Sequence, residues 1–456
     1  MDWEGAFAAL ARRFGEQFVT SAAVRGHHAK DVSHHPAVMP DGVLYPRATA
    51  DVVELMRIAR AHRLPIIPFG AGTSCEGHIH ALHGGVACDM SQMNTIVAIR
   101  PDDLDCTVEA GVTRLQLNRD LRGHGLHFPI DPGADATIGG MVATGASGTN
   151  AVRYRTMKEN VLALTVVLPD GEVVRTGTRA RKSAAGYNLT DLFVGSEGTL
   201  GLVTEISLRL HGIAEAVSVS LLSFPGIRSA VDTAVDAIRY GLGLARVELM
   251  DAMSIEACVR HAGLDLEPRP TLIVELAGSP AQIDEQGRIL AEIAANHGGA
   301  ERGWARETEA RNRLWQARHD VYFALTALRP GGQGWPTDVC VPLSALAEHV
   351  ELAQADIAAS GLLGAVCGHV GDGNFHCLYI IDPENPDELK AAKAMNERLI
   401  DRAVAAGGTC TGEHGIGHGK IGALARQHGD AIPLMRVIKR AVDPLNLMNP
   451  GKIFAD

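Results

Sequence analysis

At 456 residues the chain is too long for one ordinary hydrophobic core, so two or more packed units are expected. Hydrophobic residues make up 46% and charged residues 21%, with a mean hydropathy of +0.04, the make-up of a globular protein. The formal net charge of −11 offers nothing to nucleic acid or an anionic membrane surface, so an anionic substrate would need a local cation. The eight cysteines form no CxxC pair and no CxxCH, which reads as reduced thiols. No apolar run reaches the length of a transmembrane segment.

In chain order, Trp3, Phe7, Leu10, Phe14 and Phe18 recur at helical spacing, predicting an amphipathic helix rather than a signal peptide. The expected location is therefore cytoplasmic, with a peripheral position at the inner membrane face as its variant. Val43–Tyr45 reads as a strand, and Thr49 as the cap of a helix to His62 with Asp51 and Glu54 in its first turn. Leu64–Pro68 leads into a glycine cluster. Strands are expected at Gly85–Met90, Thr95–Ile99, Asp105–Glu109, Val161–Leu168 and Leu202–Leu210. The Pro169-Asp170-Gly171 turn makes a hairpin with Glu172–Arg175. After His211 longer helical patterns take over (Gly226–Tyr240, Ala281–Asn296, Glu307–Leu328), separated by strands such as Thr271–Glu275. That change predicts a second α+β unit. From 411 glycine-rich language returns, followed by a helix ending at Asp443-Pro444.

Glycine is frequent, at 50 residues, and much of it sits in short clusters that let backbone amides approach a ligand. Pro68–Gly77 fits GxGxxG only loosely. A Rossmann site needs a helix directly after it, whereas His78–Gly85 is a poor helix, so NAD by that route is disfavoured. In the second cluster, Asp131–Asn150, Thr137 can cap a short helix through Gly139–Ala143. With Gly195–Gly201 as a third cluster, wrapping of a large flat cofactor is favoured over a set of surface turns.

These clusters resemble the FAD-binding oxidase/dehydrogenase family that includes vanillyl-alcohol oxidase, over nearly the whole chain. The resemblance implies an α+β protein: a bipartite FAD-binding domain of two α+β subdomains plus an α+β cap over the flavin. On that basis residues 1–35 form an N-terminal helical segment and 36–215 the FAD-binding domain. Residues 216–410 form the cap, or substrate, domain, and 411–456 return to the flavin site. The phosphate loop would use Pro68, Gly70, Ala71, Gly72, Thr73, Ser74 and Gly77. The ribityl and isoalloxazine segment would use Pro132, Gly133, Asp135, Thr137, Ile138, Gly139, Gly140, Ala143, Gly145, Ser147 and Gly148. The family's GSEGTLG block supplies Glu197, Gly198 and Gly201, with Val203 after it, and its closing NPGK supplies Asn449. Thr73 stands where covalent members carry histidine, implying non-covalent FAD.

The second informative stretch is Cys367–Cys377. Asp372-Gly373 is a two-residue hairpin signal that would pair Gly371 with Asn374, Val370 with Phe375 and His369 with His376. The two histidines would then face each other with Cβ atoms roughly 4.5–5.5 Å apart, suited to one cation. Glu413 could close the site, leaving His414 as a base. A surface hairpin with two incidental histidines is the plainer alternative. His34, His35, His80 and His83 read as solvated or packing residues.

These blocks resemble the FAD-linked D-2-hydroxy-acid branch of the family, and Leu328–Pro342 is most like its cytochrome-linked D-lactate dehydrogenases. The resemblance implies His369, His376 and Glu413 as metal ligands (zinc, manganese or iron) and His414 as base. It implies Arg318, with Asn374, as the groups that orient the substrate carboxylate. Pro336 stands where relatives acting on 2-hydroxyglutarate carry lysine, which argues against a second substrate carboxylate. The expected reaction oxidises D-lactate, or a similar small D-2-hydroxy acid, to the 2-oxo acid, with hydride passing to the flavin N5. Electrons would leave to an external acceptor: a cytochrome, a quinone or an electron-transfer flavoprotein. The alternatives are the catalytic subunit of a glycolate oxidase or a D-2-hydroxyglutarate dehydrogenase.

Overall fold

Short strands punctuated by glycine turns and separated by one strong helix favour a small parallel layer near the start of the chain. The computed structural model, which describes residues 3–263 and 265–455, shows that layer within the first of two units. This unit comprises residues 1–147, 155–213 and 413–456; the second comprises 148–154 and 214–412.

In the first unit, Glu4–Phe14 is helical and buries Ala6, Leu10 and Phe14. Phe18 lies beyond that helix, because Gly15 takes a left-handed conformation (φ 54°) and ends it. A four-stranded sheet runs in the order Phe18–Val19, Gly42–Leu44, Val86–Asp89, Ile66–Phe69, with Val86–Asp89 parallel to both its neighbours. The helix Thr49–His62 connects two of these strands, as parallel pairing requires. Its cap differs from expectation: Ala48 holds the cap position, and the Thr49 hydroxyl donates to Thr204 Oγ1 at 3.1 Å.

A five-stranded antiparallel sheet follows in the order Ile96–Arg100, Asp105–Glu109, Leu202–Arg209, Val161–Val167, Val173–Arg175. Leu202, Thr204, Ile206 and Leu208 alternate inward, the period of a half-buried strand. Both sheets feed one core that holds Leu44, Leu55, Val86, Val108 and Ile206. This is the bipartite α+β arrangement expected.

The second unit is built on an antiparallel sheet of eight strands. Seven run in the order Ala300–Ala305, Ala216–Ser223, Thr271–Gly278, Leu244–Met250, Leu363–Gly368, Asn374–Ile381, Gln333–Pro336, and Val339–Cys340 also pairs with Asn374–Ile381. Helix Ile227–Arg239 buries Ile227, Ala230, Val231, Ala234 and Ala237, one stripe at helical spacing. The single helix expected over Glu307–Leu328 is two, Thr308–His319 and Val321–Ala327. The break falls at Asp320, whose ψ of 0° leaves the helical range.

Candidate active site

The three glycine clusters meet inside the first unit. A Cβ placed on Gly70 would lie 2.3 Å from Thr137 Oγ1, and one on Gly198 would lie 2.3 Å from Pro68 Cγ. Thr137 Oγ1 accepts from the Gly140 amide at 3.2 Å and caps the helix Ile138–Thr144. The Gly195 and Glu197 amides donate to Val142 and Ala143 carbonyls at 2.9 and 2.8 Å, which ties the third cluster to the second. Gly72, Gly77, Gly145, Gly195 and Gly198 all have positive φ, so the three loops turn where side chains would be strained.

The phosphate loop itself is held from behind. Asp31 Oδ2 accepts from Ser74 Oγ at 2.9 Å and from the Gly77 amide at 3.0 Å. Burial pushes the Asp31 carboxyl up, but hydrogen bonds from Ser33 and the charge of His80 hold it below its ordinary value. The amides of Ala71, Gly72 and Thr73 meet no acceptor among the described residues. A loop of open amide donors built around glycine fits a pyrophosphate, so these residues suit the phosphates of FAD.

Glu197 and Asn449 brace the loops of the first unit. Glu197 is buried and left-handed (φ 53°), and its carboxylate accepts from the Ile416 and Gly417 amides at 2.6 and 2.7 Å. It also lies 3.3 Å from His78 Nε2. Burial raises the Glu197 carboxyl, but His78 and these two amides hold it below its ordinary value. Asn449 Nδ2 donates to the His78 and Glu197 carbonyls at 3.1 and 2.9 Å, while its Oδ1 is buried and meets no donor among the described residues. Glu197 thereby holds the stretch just after half-buried His414, and Asn449 holds Glu197.

Beside this stretch His35, His80 and His418 pack at tilted angles, with ring centroids 4.3 Å apart for His35–His418 and 5.1 Å for His80–His418. His80 is fully buried, and burial with His35, His80 and Lys452 nearby pushes His418 down to about 4.

In the second unit the histidine hairpin forms in a different register from the one expected. Cys367 pairs with His376 and Val366 with Cys377, a shift of two residues. The turn is longer because Asp372 N bonds His369 O at 2.9 Å and Gly373 O accepts from Val341 N at 2.9 Å, so a tertiary contact overrides the two-residue turn. A shift of two keeps side-chain parity. The His369 and His376 rings still approach, with centroids 5.3 Å apart and planes at 83°.

Each ring is oriented through Nδ1. His369 Nδ1 donates to Glu248 Oε1 at 2.6 Å, and His376 Nδ1 donates to the Thr337 carbonyl at 3.0 Å. Both rings therefore carry their lone pair on Nε2, the tautomer a metal requires. Glu413 follows directly on Gly412, whose amide donates to Asp338 Oδ2 at 2.8 Å. His369 and His376 thus each offer one ligand nitrogen within the second unit, and Glu413 carries the carboxylate expected to join them. Two imidazoles and a carboxylate suit a divalent transition metal.

Three further acids matter, and sequence reasoning missed all of them: Glu248, Asp338 and Asp31. Glu248 is fully buried in the strand Leu244–Met250. Its Oε2 accepts from Arg318 Nε at 2.9 Å and Nη2 at 2.8 Å. Burial raises its carboxyl, but His369 and Arg318 hold it below its ordinary value. The available signal was a lone acid within an apolar strand, which is stable only when paired. Asp338 accepts from Asn374 Nδ2 at 2.7 Å and Thr411 Oγ1 at 2.6 Å. Asn374 Nδ2 also donates to the Val339 carbonyl at 2.7 Å, so both amide hydrogens serve the frame.

The chain is similar to known proteins along nearly its whole length. Residues 40–177 match the family described as FAD binding domain, and 213–453 match FAD linked oxidases, C-terminal domain. A Danio rerio protein named "Probable D-lactate dehydrogenase, mitochondrial" is 50% identical over 95% of this chain and 88% of its own. The Arabidopsis thaliana "D-lactate dehydrogenase [cytochrome], mitochondrial" is 44% identical over 94% of this chain and 76% of its own. A glycolate oxidase subunit of Bacillus subtilis is 34% identical over 96% and 94%. The 4-ethylphenol oxidase of Gulosibacter chungangensis shares the fold with a TM-score of 0.81 at 18% identity, over 100% of this chain and 98% of that one. The expected cytoplasmic location does not stand, because the Danio rerio and Arabidopsis thaliana relatives are mitochondrial by name. Two matched domains and a relative 50% identical along nearly all of its length make this chain a member of the FAD-linked oxidase family.

Proposed function

We propose that the protein is an FAD-dependent dehydrogenase that oxidises D-lactate, or a close small D-2-hydroxy acid, to the 2-oxo acid. The observation that carries this reading is the pair of imidazoles fixed through Nδ1 beside a buried arginine, all in one unit. The names of the relatives at 50% and 44% identity point to D-lactate as substrate, and the Arabidopsis thaliana name points to a cytochrome as acceptor.

FAD supplies the two-electron acceptor when bound, and a divalent metal supplies Lewis acidity toward the substrate hydroxyl. His369, His376 and Glu413 are the residues that would hold the metal. The loop Pro68–Gly77, the stretch Pro132–Gly148 and the block Gly195–Gly201 would hold FAD, without a covalent bond because Thr73 offers no imidazole. Arg318 supplies the local cation that a protein of net charge −11 needs for an anionic substrate. His414 takes the proton of the substrate hydroxyl, which requires its imidazole to be neutral.

The test is anaerobic flavin reduction of FAD-loaded protein by D-lactate, L-lactate, glycolate and D-2-hydroxyglutarate, with and without a chelator. D-lactate is expected to bleach the flavin fastest, and chelation to slow it by about 10-fold or more. Faster bleaching by glycolate, or indifference to the chelator, overturns the reading.

A further inference from the structure

Glu248 bonds both His369 and Arg318 within the second unit. Its Oε1 takes the proton of His369 Nδ1 at 2.6 Å, and its Oε2 takes Arg318 Nε and Nη2 at 2.9 and 2.8 Å. It has no solvent exposure, and it lies on a central strand of the sheet, Leu244–Met250. A carboxylate in such a place is costly unless both oxygens are matched by charged or donating partners, and here they are.

We propose that Glu248 is a positioning residue: it fixes His369 in the tautomer that presents Nε2 to a divalent metal, and it holds the Arg318 fork in a set orientation toward an anionic substrate. The inference rests on the metal reading given above, because it concerns how His369 is prepared for that ion.

The tautomer follows from the proton inventory. A carboxylate accepts only, so the hydrogen of the His369–Glu248 contact sits on Nδ1 and the lone pair sits on Nε2. An amide in the same place has one accepting and one donating end. In Glu248→Gln the accepting end is claimed by Arg318, a donor-only group, so the NH2 faces His369. His369 Nδ1 then has to accept, the ring proton moves to Nε2, and the ligand position is blocked. Shape and volume barely change, which separates this effect from a packing defect.

The experiment titrates FAD-loaded protein, stripped of metal, with Mn2+ and follows the signal of free Mn2+ by electron spin resonance. Glu248→Gln is expected to weaken Mn2+ binding by about 10–100-fold while FAD content stays at the wild-type level. Its KM for D-lactate should rise as well, through Arg318. A variant that keeps FAD and binds Mn2+ within about 3-fold of wild type overturns the positioning role, since second-sphere partners otherwise cost at least about 10-fold. A wild-type protein that takes up no Mn2+ overturns the metal reading beneath it. Should Glu248→Gln fail to fold, nitrogen-15 spectra of the metal-free, FAD-loaded wild type decide the matter. A His369 ring protonated on Nδ1, assigned by its loss in His369→Gln, upholds the proposal, and a ring protonated on Nε2 overturns it.

Discussion

Replacing Glu197 by alanine tests how the first unit holds its loops. The substitution removes the acceptor of two buried amides, Ile416 N at 2.6 Å and Gly417 N at 2.7 Å, together with the contact to His78. A buried donor left without a partner costs about 1–3 kcal/mol, so two give about 2–6 kcal/mol, and water entry brings this to about 3 kcal/mol. For a unit of this size each kcal/mol moves the midpoint by about 2–4 °C, so a fall of about 6–12 °C is expected. The assay is thermal release of FAD, followed by the rise in flavin fluorescence. Glycine at the same place makes an internal control, because Glu197 sits at φ 53° where glycine is unstrained. Glu197→Gly should melt above Glu197→Ala by an amount equal to about 1 kcal/mol. A Glu197→Ala protein that melts within about 2 °C of wild type would refute the clamp, since that shift corresponds to under about 1 kcal/mol.

Other outcomes follow from single contacts. His414→Ala should leave FAD bound yet slow flavin bleaching by D-lactate about 100-fold or more, and unchanged bleaching would remove it from the role of base. Gly77→Ala should lose FAD at least about 10-fold more readily, measured as the flavin-to-protein ratio after dialysis, because left-handed strain alone costs about 1–2 kcal/mol. Its added methyl would also stand 2.2 Å from His418 Nε2, at a residue with φ 72°. The His78–Glu197 pair gives a pH signature. Burial lowers His78, but Glu197 outweighs it and holds the imidazole above its ordinary 6.5. Its contribution is therefore complete below about pH 6.5 and is lost as pH rises through the raised value. Thermal midpoints of wild type and His78→Gln should differ most near pH 6 and converge above it; a gap that widens with pH contradicts the assignment.

Much of the first unit was legible because its signals are local. Thr137 caps Ile138–Thr144, Asp105–Glu109 is a strand with the bounds expected, and Pro169-Asp170-Gly171 turns one strand onto the next. The two histidines were legible as a pair, since a pattern of period two survives a shift of two residues. Their register was not, because Val341 fixes the turn from a distant part of the chain. The acids behind the site stayed hidden for the same reason. Glu248 acquires meaning only when the sheet brings it to His369, 121 residues away, and Asp338 only when it meets Thr411 and Gly412. Partners this remote leave no spacing to read. Asn374 shows the converse: its motif pointed to substrate, while its hydrogens serve Asp338 and Val339.

The bond from Asn449 to the carbonyl of His78 spans 371 residues. On the ribosome, the early segments of the first unit emerge long before the stretch that latches them, and the whole second unit is synthesised in between. Long-range closures of this kind form late and leave partly assembled intermediates exposed. The nucleotide-binding unit thus cannot be finished until the second unit has been made, and loss of the stretch around Asn449 would undo the part of the molecule made first.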